Sequence, residues 1–171
     1  MYLNNVFSTN LSSLQGLRVL IVDNNDDCRV MLSVLLKWYG VQVQTASSVK
    51  LALEIFGQWQ PDILVSDIAF PGEDGYALIQ QVRNKAGRGE LMIAIAVTGY
   101  DSQNMSQRGL CDGFDLWFSK PLDIDEFVAV LASLATSQRS SYAIAQRILD
   151  VSTYTEAIAK LEKQLNLTFP S

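Results

Sequence analysis

The chain has 171 residues and a net charge of −5; 49% of it is hydrophobic and 18% charged. That length holds one ordinary domain plus an appendage, and that composition supplies a core, which excludes a disordered chain. The acidic balance, with Lys and Arg scattered, excludes a nucleic-acid or membrane-surface binder, since both need a basic stripe.

No apolar run approaches a membrane span, and the N-terminus MYLNNVFSTN has neither the basic start nor the apolar stretch of a secretory signal. Cys28 and Cys111 lack CxxC spacing and read as reduced, semi-buried thiols, so the chain is expected to be cytoplasmic. There is no histidine, which removes His-based triads and most zinc sites.

Residues 1–16 are polar and read as a leader. LRVLIV (17–22) has the branched apolar character of a buried strand. Asn24 or Asn25 then caps a helix that runs to about Tyr39, with Val30, Leu32, Val34, Leu35 and Trp38 as its apolar face and Gly40 as its stop. VQVQTA (41–46) alternates as an edge strand does. Ser47 is expected to cap a second helix carrying Leu51, Leu53, Ile55 and Phe56, which Pro61 ends. ILVSD (63–67) is the next buried strand, and the loop IAFPGEDG follows. A helix from Tyr76 to about Lys85 presents Leu78, Ile79 and Val82. LMIAIAV (91–97), the most apolar run, is expected at the sheet centre. A weakly patterned helix (101–110) precedes FDLWF (114–118), and Asp123 with Glu126 forms a capping pair for a last helix through Leu134.

Five nearly apolar strands alternating with five helices predict an α/β fold with a parallel sheet covered on both faces. Right-handed crossovers leave the flavodoxin-like strand order 2-1-3-4-5 as the expected one. In that order ligands gather at the carboxyl ends of strands 1 and 3. Asp23 and Asn24 follow strand 1, Asp67 ends strand 3, Thr98 ends strand 4, and Lys120 lies just past strand 5. Taken singly, each has an ordinary structural explanation as a cap, a strand residue or a solvated lysine. Together at matching strand ends they suit phosphoryl transfer to a carboxylate, with Asp67 as nucleophile and a hard cation to offset charge. Asp23, Asp67 and the backbone carbonyl near Ala69 would hold that cation. Lys120 and the Thr98 hydroxyl would meet phosphoryl oxygens.

Four segments resemble the receiver domains of response regulators in two-component signalling: RVLIVDNNDDCRVML, PDILVSDIAFPGEDGYALIQQVR, AVTGYD and GFDLWFSKPL. The second is similar in wording to receivers of hybrid sensor kinases. The resemblance covers about residues 17–135 and implies a phosphorylation-operated switch rather than an enzyme acting on external substrates. It implies Asp67 as phosphoacceptor, Asp23 as ligand to Mg2+ or Mn2+, Thr98 as switch hydroxyl, and Lys120 as the site lysine. Trp117 takes the position of the signalling aromatic. The implied partners are a histidine kinase or histidine phosphotransfer protein and a downstream protein target, with dimerisation left open. The implied output face comprises residues 101–110, 114–118 and 123–134.

Three residues depart from the family pattern. Asn24 stands where a second acid is usual, which is expected to weaken metal binding while its amide oxygen remains a candidate ligand. Gly99 follows Thr98 in place of the commoner Ala, and Trp117 is bulkier than the usual aromatic. Ala69 and Tyr100, each two residues past a site residue, are expected to slow hydrolysis of the phosphorylated form.

Residues 136–171 read as a helical tail. Val151, Tyr154, Ile158, Leu161 and Leu165 follow steps of three and four, too briefly for a firm coiled coil. The tail is shorter than a usual DNA-binding output domain, which favours signalling through protein contacts. Three rival functions fit the sequence less well. A haloacid-dehalogenase-type phosphatase needs an acid two residues after the nucleophile, and Ala69 is there instead. A flavin-binding protein needs a Ser/Thr/Gly-rich phosphate loop, whereas DNNDDC would repel phosphate. A pseudo-receiver acting as a docking module has only Asn24 in its favour.

Overall fold

The structure, a computed structural model, describes residues 12–70, 73–84, 92–99 and 113–137. The leader's first eleven residues, the helix expected over 101–110, Tyr100, Cys111 and the tail beyond residue 137 lie outside them. The chain divides into two compact units, Met1–Ala132 and Ser133–Ser171, and the sheet belongs to the first.

Five parallel strands build that sheet: β1 (Arg18–Val22), β2 (Gln42–Ala46), β3 (Ile63–Ser66), β4 (Ile93–Thr98) and β5 (Leu116–Ser119). Their order is β2-β1-β3-β4-β5, the order expected from the alternation. The register aligns Val22 with Ala46 and Ser66, Ser66 with Ala96, and Thr98 with Ser119. One correction concerns LMIAIAV: β4 sits between β3 and β5, and the central strand is β3. A continuous apolar run reports burial on both faces, which β3 and β4 share, and says nothing of rank within the sheet.

Helices α1 (Asp26–Trp38), α2 (Val49–Trp59) and α3 (Gly75–Asn84) follow the first three strands, and residues 124–137 are also helical. Asn25 is the α1 N-cap, its side chain accepting from the Cys28 N–H. The α2 cap is Ser48, one residue past the expected Ser47, because Ser48 is extended and its hydroxyl meets the Leu51 N–H at 3.3 Å. Asp123 caps the last described helix through its carboxylate, which accepts from the Glu126 N–H at 3.0 Å.

One face of the sheet packs Leu20, Leu64, Ala94 and Ala96 against Val49, Ala52 and Phe56 of α2 and Leu78, Ile79 and Val82 of α3. Burying each of the larger side chains contributes roughly 1.5–3 kcal/mol. Phe127, in the last described helix, meets Phe118 of β5 edge to face, with centroids 5.3 Å apart. The expected α1 face needs correcting. Leu32 and Leu36 are buried, whereas Val30 (62%), Val34 (65%) and Trp38 (86%) are exposed. The helix carries two interleaved apolar stripes, and the one containing Leu32 and Leu36 turns inward. Among the described residues, no helix is long and apolar enough to cross a membrane.

Candidate functional site

The carboxyl ends of the strands bring the expected residues together. Asp23 follows β1, and its backbone N–H donates to the Ala46 carbonyl at 3.2 Å. Its Oδ1 accepts from the Asn25 N–H at 2.8 Å, and an Arg29 N–H donates to its carbonyl. Asp67 follows β3, with its N–H on the Val22 carbonyl at 2.8 Å. Asp67 Oδ1 accepts from the N–H groups of Ile68 (2.6 Å) and Ala69 (3.0 Å), which fixes the carboxylate and leaves Oδ2 facing β5. Both acids are buried, at 4% and 8% exposure.

Lys120 joins them. Its backbone N–H donates to the Thr98 carbonyl at 2.8 Å, and its Nζ lies 2.8 Å from Asp23 Oδ2 and 2.6 Å from Asp67 Oδ2. Two buried like charges therefore share one ammonium, the pairing that buried carboxylates require. Burial acts to lower the Lys120 pKa, but the hydrogen bonds and negative charge of Asp23 and then Asp67 outweigh it and hold the pKa above its ordinary value. Thr98 is buried at the end of β4.

The residues fit a hard cation. The Asp23 and Asp67 oxygens already converge on one positive centre, the lysine ammonium, and their oxygen chemistry is that of a Mg2+ site. Among the described residues no three His, Cys, Asp or Glu side chains cluster. Asn24, next to Asp23 in the chain, carries no charge. Asn24 and Ala69 are exposed at the rim.

Trp117 lies in β5, three residues before Lys120. It is half-buried in a group of three rings, with its centroid 5.8 Å from Phe114 and 6.5 Å from Tyr76. Such pairs contribute about 0.5–1.5 kcal/mol each. Its Nε1 is buried and finds no acceptor among the described residues.

Two residues that hold the site were missed by sequence reasoning. Gly75 opens α3 against the acceptor segment, where an added Cβ would lie 2.7 Å from Ile68 Cα and 2.9 Å from the Asp67 carbonyl oxygen. Arg83 donates to the Met92 carbonyl (2.6 Å), to the Gly113 carbonyl (3.0 and 2.9 Å) and to Asp115 (2.6 Å), which ties α3 to the starts of β4 and β5. The signals were present in the DG pair and in the Arg that closes the acceptor motif.

The response regulator receiver domain model matches residues 19–132. The chain belongs to the response-regulator receiver family. This receiver is 35% identical over 121 residues to an uncharacterized 14.6 kDa protein of Leptolyngbya boryana, covering 71% of this chain and 92% of that one. It is 31% identical over 109 residues to the regulatory protein AtoC of Escherichia coli, covering 64% of this chain and 23% of AtoC. Among solved structures, the chemotaxis protein CheY4 of Vibrio cholerae superposes with a TM-score of 0.61 at 27% identity, covering 72% of this chain and 98% of that one. The receiver therefore spans under a quarter of AtoC but nearly all of CheY4 and of the Leptolyngbya protein. Receivers take part in phosphoaspartate signalling as phosphoacceptors, not as enzymes that turn over external substrates. They generally use Mg2+ at the phosphorylation site and interact with histidine kinases or phosphotransfer proteins and with downstream effectors.

Proposed function

We propose that Asp67 receives the phosphoryl group from a phosphohistidine on a kinase or phosphotransfer protein. The observation that carries this reading is the bridge from Lys120 Nζ to Asp23 and Asp67. Asp67 Oδ1 is engaged by two backbone N–H groups, so Oδ2 is the oxygen presented to phosphorus. The donor P–N bond breaks as the Asp67 Oδ2–P bond forms. Lys120 then turns to a phosphoryl oxygen, and the Thr98 hydroxyl binds another.

Asp23, Asp67, the Asn24 amide oxygen and the Ala69 backbone carbonyl would hold Mg2+ or Mn2+, which offsets negative charge while the phosphoryl group transfers. Trp117 and β5 would carry the change outward, to the face that sequence reading assigns to residues 101–110, 114–118 and 123–134. In this reading residues 17–135 are the receiver and 136–171 an appended tail.

Intact-mass measurement after incubation with acetyl phosphate and Mg2+ tests it. A gain of about 80 Da, one phosphoryl group, is expected in the wild type and absent in Asp67→Ala. An unchanged wild-type mass, or labelling that survives Asp67→Ala, overturns the assignment.

A further inference from the structure

Apolar exposure on the described surface is concentrated on one helix. Among the described residues five large hydrophobic side chains stand exposed, and four of them, Val30, Met31, Val34 and Trp38, belong to α1. Single exposed hydrophobics are ordinary, whereas a contiguous group marks a contact surface. Two exposed charges share the helix with them, Asp27 in the first turn and Lys37 in the last. At about 100° per residue, all six side chains lie within roughly 60° of Val34, on one face. Asp26 is already paired with Arg29, but Asp27 and Lys37 enter no ion pair among the described residues. Leu32 and Leu36 hold the opposite face of α1 in the core, so the exposed stripe cannot turn inward without unseating them.

The order of charge along the stripe selects its occupant. An acid at one end, apolar residues between and a base at the other make a pattern complementary to its own reverse. We propose that α1 pairs with α1 of a second copy of this chain, antiparallel about a two-fold axis passing between Val30 and Val34. Asp27 of each helix then meets Lys37 of the other, and Val30 opposes Val34. Trp38 leans back toward the start of its own helix, as helical side chains do, and covers the partner's Val30. Such a contact uses the same patch twice and closes at two copies. One helix face buries less than the roughly 800 Å² per partner of a standard interface, so the dimer is weak and depends on concentration. Trp38 supplies the anchor, and the charge pairs fix direction and register. The pairing does not depend on phosphorylation of Asp67.

Sedimentation equilibrium of the full chain across the micromolar range tests the pairing, with urea midpoints measured alongside. The parent is expected to show a monomer–dimer equilibrium. Trp38→Ser is expected to weaken it at least about tenfold at an unchanged midpoint, as loss of an aromatic anchor does. Asp27→Lys and Lys37→Glu each set like charges together and are expected to weaken the dimer when alone. Mixed in equal amounts, the two variants are expected to associate about as tightly as the parent, because both contacts then join opposite charges. That rescue separates antiparallel α1 pairing from association through any other surface. A parent that stays monomeric overturns the proposal, including where α1 binds a helical phosphotransfer protein instead. So does a dimer that Trp38→Ser leaves intact, or a mixture that associates no better than its two components.

Discussion

Lys120 and Asp23 stand 97 residues apart in the chain and are joined by a 2.8 Å hydrogen bond between Nζ and Oδ2. The bond reaches from the end of β5 to the end of β1, past β3 and β4. Asp67 lies beneath the same ammonium. One flexible side chain thus neutralises charge that the fold places at two distant points of the sequence.

Lys120→Met is expected to leave two buried carboxylates facing one another. Removing one partner of a buried ion pair costs about 3–5 kcal/mol, and the partial exposure of Lys120 reduces the expectation to roughly 1–3 kcal/mol. Urea denaturation of the two proteins at neutral pH measures the difference, and equal midpoints would show that the bridge does not stabilise the fold. Labelling by acetyl phosphate is expected to fall at least tenfold, by analogy with loss of a charge-stabilising group.

The same bridge gives a pH dependence. The folded pKa of Lys120 is raised, so the folded state holds this proton more tightly than the unfolded chain. The stabilisation is fully present below about pH 10.4, the ordinary lysine value, and is lost as pH rises through the folded value. The stability advantage of wild type over Lys120→Met is therefore expected to be flat near neutrality and to shrink in alkaline solution above that point. Paired denaturation curves across the range read it, and an advantage that grows with pH would contradict the sign.

Asn24→Asp adds a carboxylate beside Asp23 and is expected to tighten Mg2+ binding roughly five- to tenfold, since ligand charge is a main lever of affinity for hard cations. Titration followed by Trp117 emission in a chain carrying Trp38→Phe and Trp59→Phe compares the two. Equal affinities would remove Asn24 from the ligand set.

Gly75→Ala places a methyl group 2.7 Å from Ile68 Cα, where only backbone displacement relieves the overlap. Overpacking of this kind costs about 1–3 kcal/mol, and the displaced segment carries Asp67. A lower unfolding midpoint and slower labelling by acetyl phosphate are expected together. A normal midpoint would mean that α3 can withdraw from the acceptor loop.

Much of the site was legible because each of its acids and its lysine ends or follows a short apolar run, and parallel topology sends those ends to one edge. Asp23, Asp67, Thr98 and Lys120 needed only strand assignments accurate to a residue or two. The inward face of α1 was not legible. Val30, Val34 and Trp38 recur at helical spacing as regularly as Leu32 and Leu36, and one-dimensional periodicity does not say which stripe meets the sheet. The rank of β4 was misread because apolar content measures two-sided burial and not position. Arg83 was passed over because its partners are the carbonyls of Met92 and Gly113 together with Asp115, and carbonyls leave no trace in side-chain composition.

The Arg83 guanidinium has a consequence for how freely this sequence can vary. By holding Met92 just before β4 and Gly113 and Asp115 just before β5, it pins both entry points with a single planar fork. A lysine in its place would carry one nitrogen instead of a fork and could not serve the Met92 and Gly113 carbonyls and the Asp115 carboxylate together, so at this position the two cations are not interchangeable.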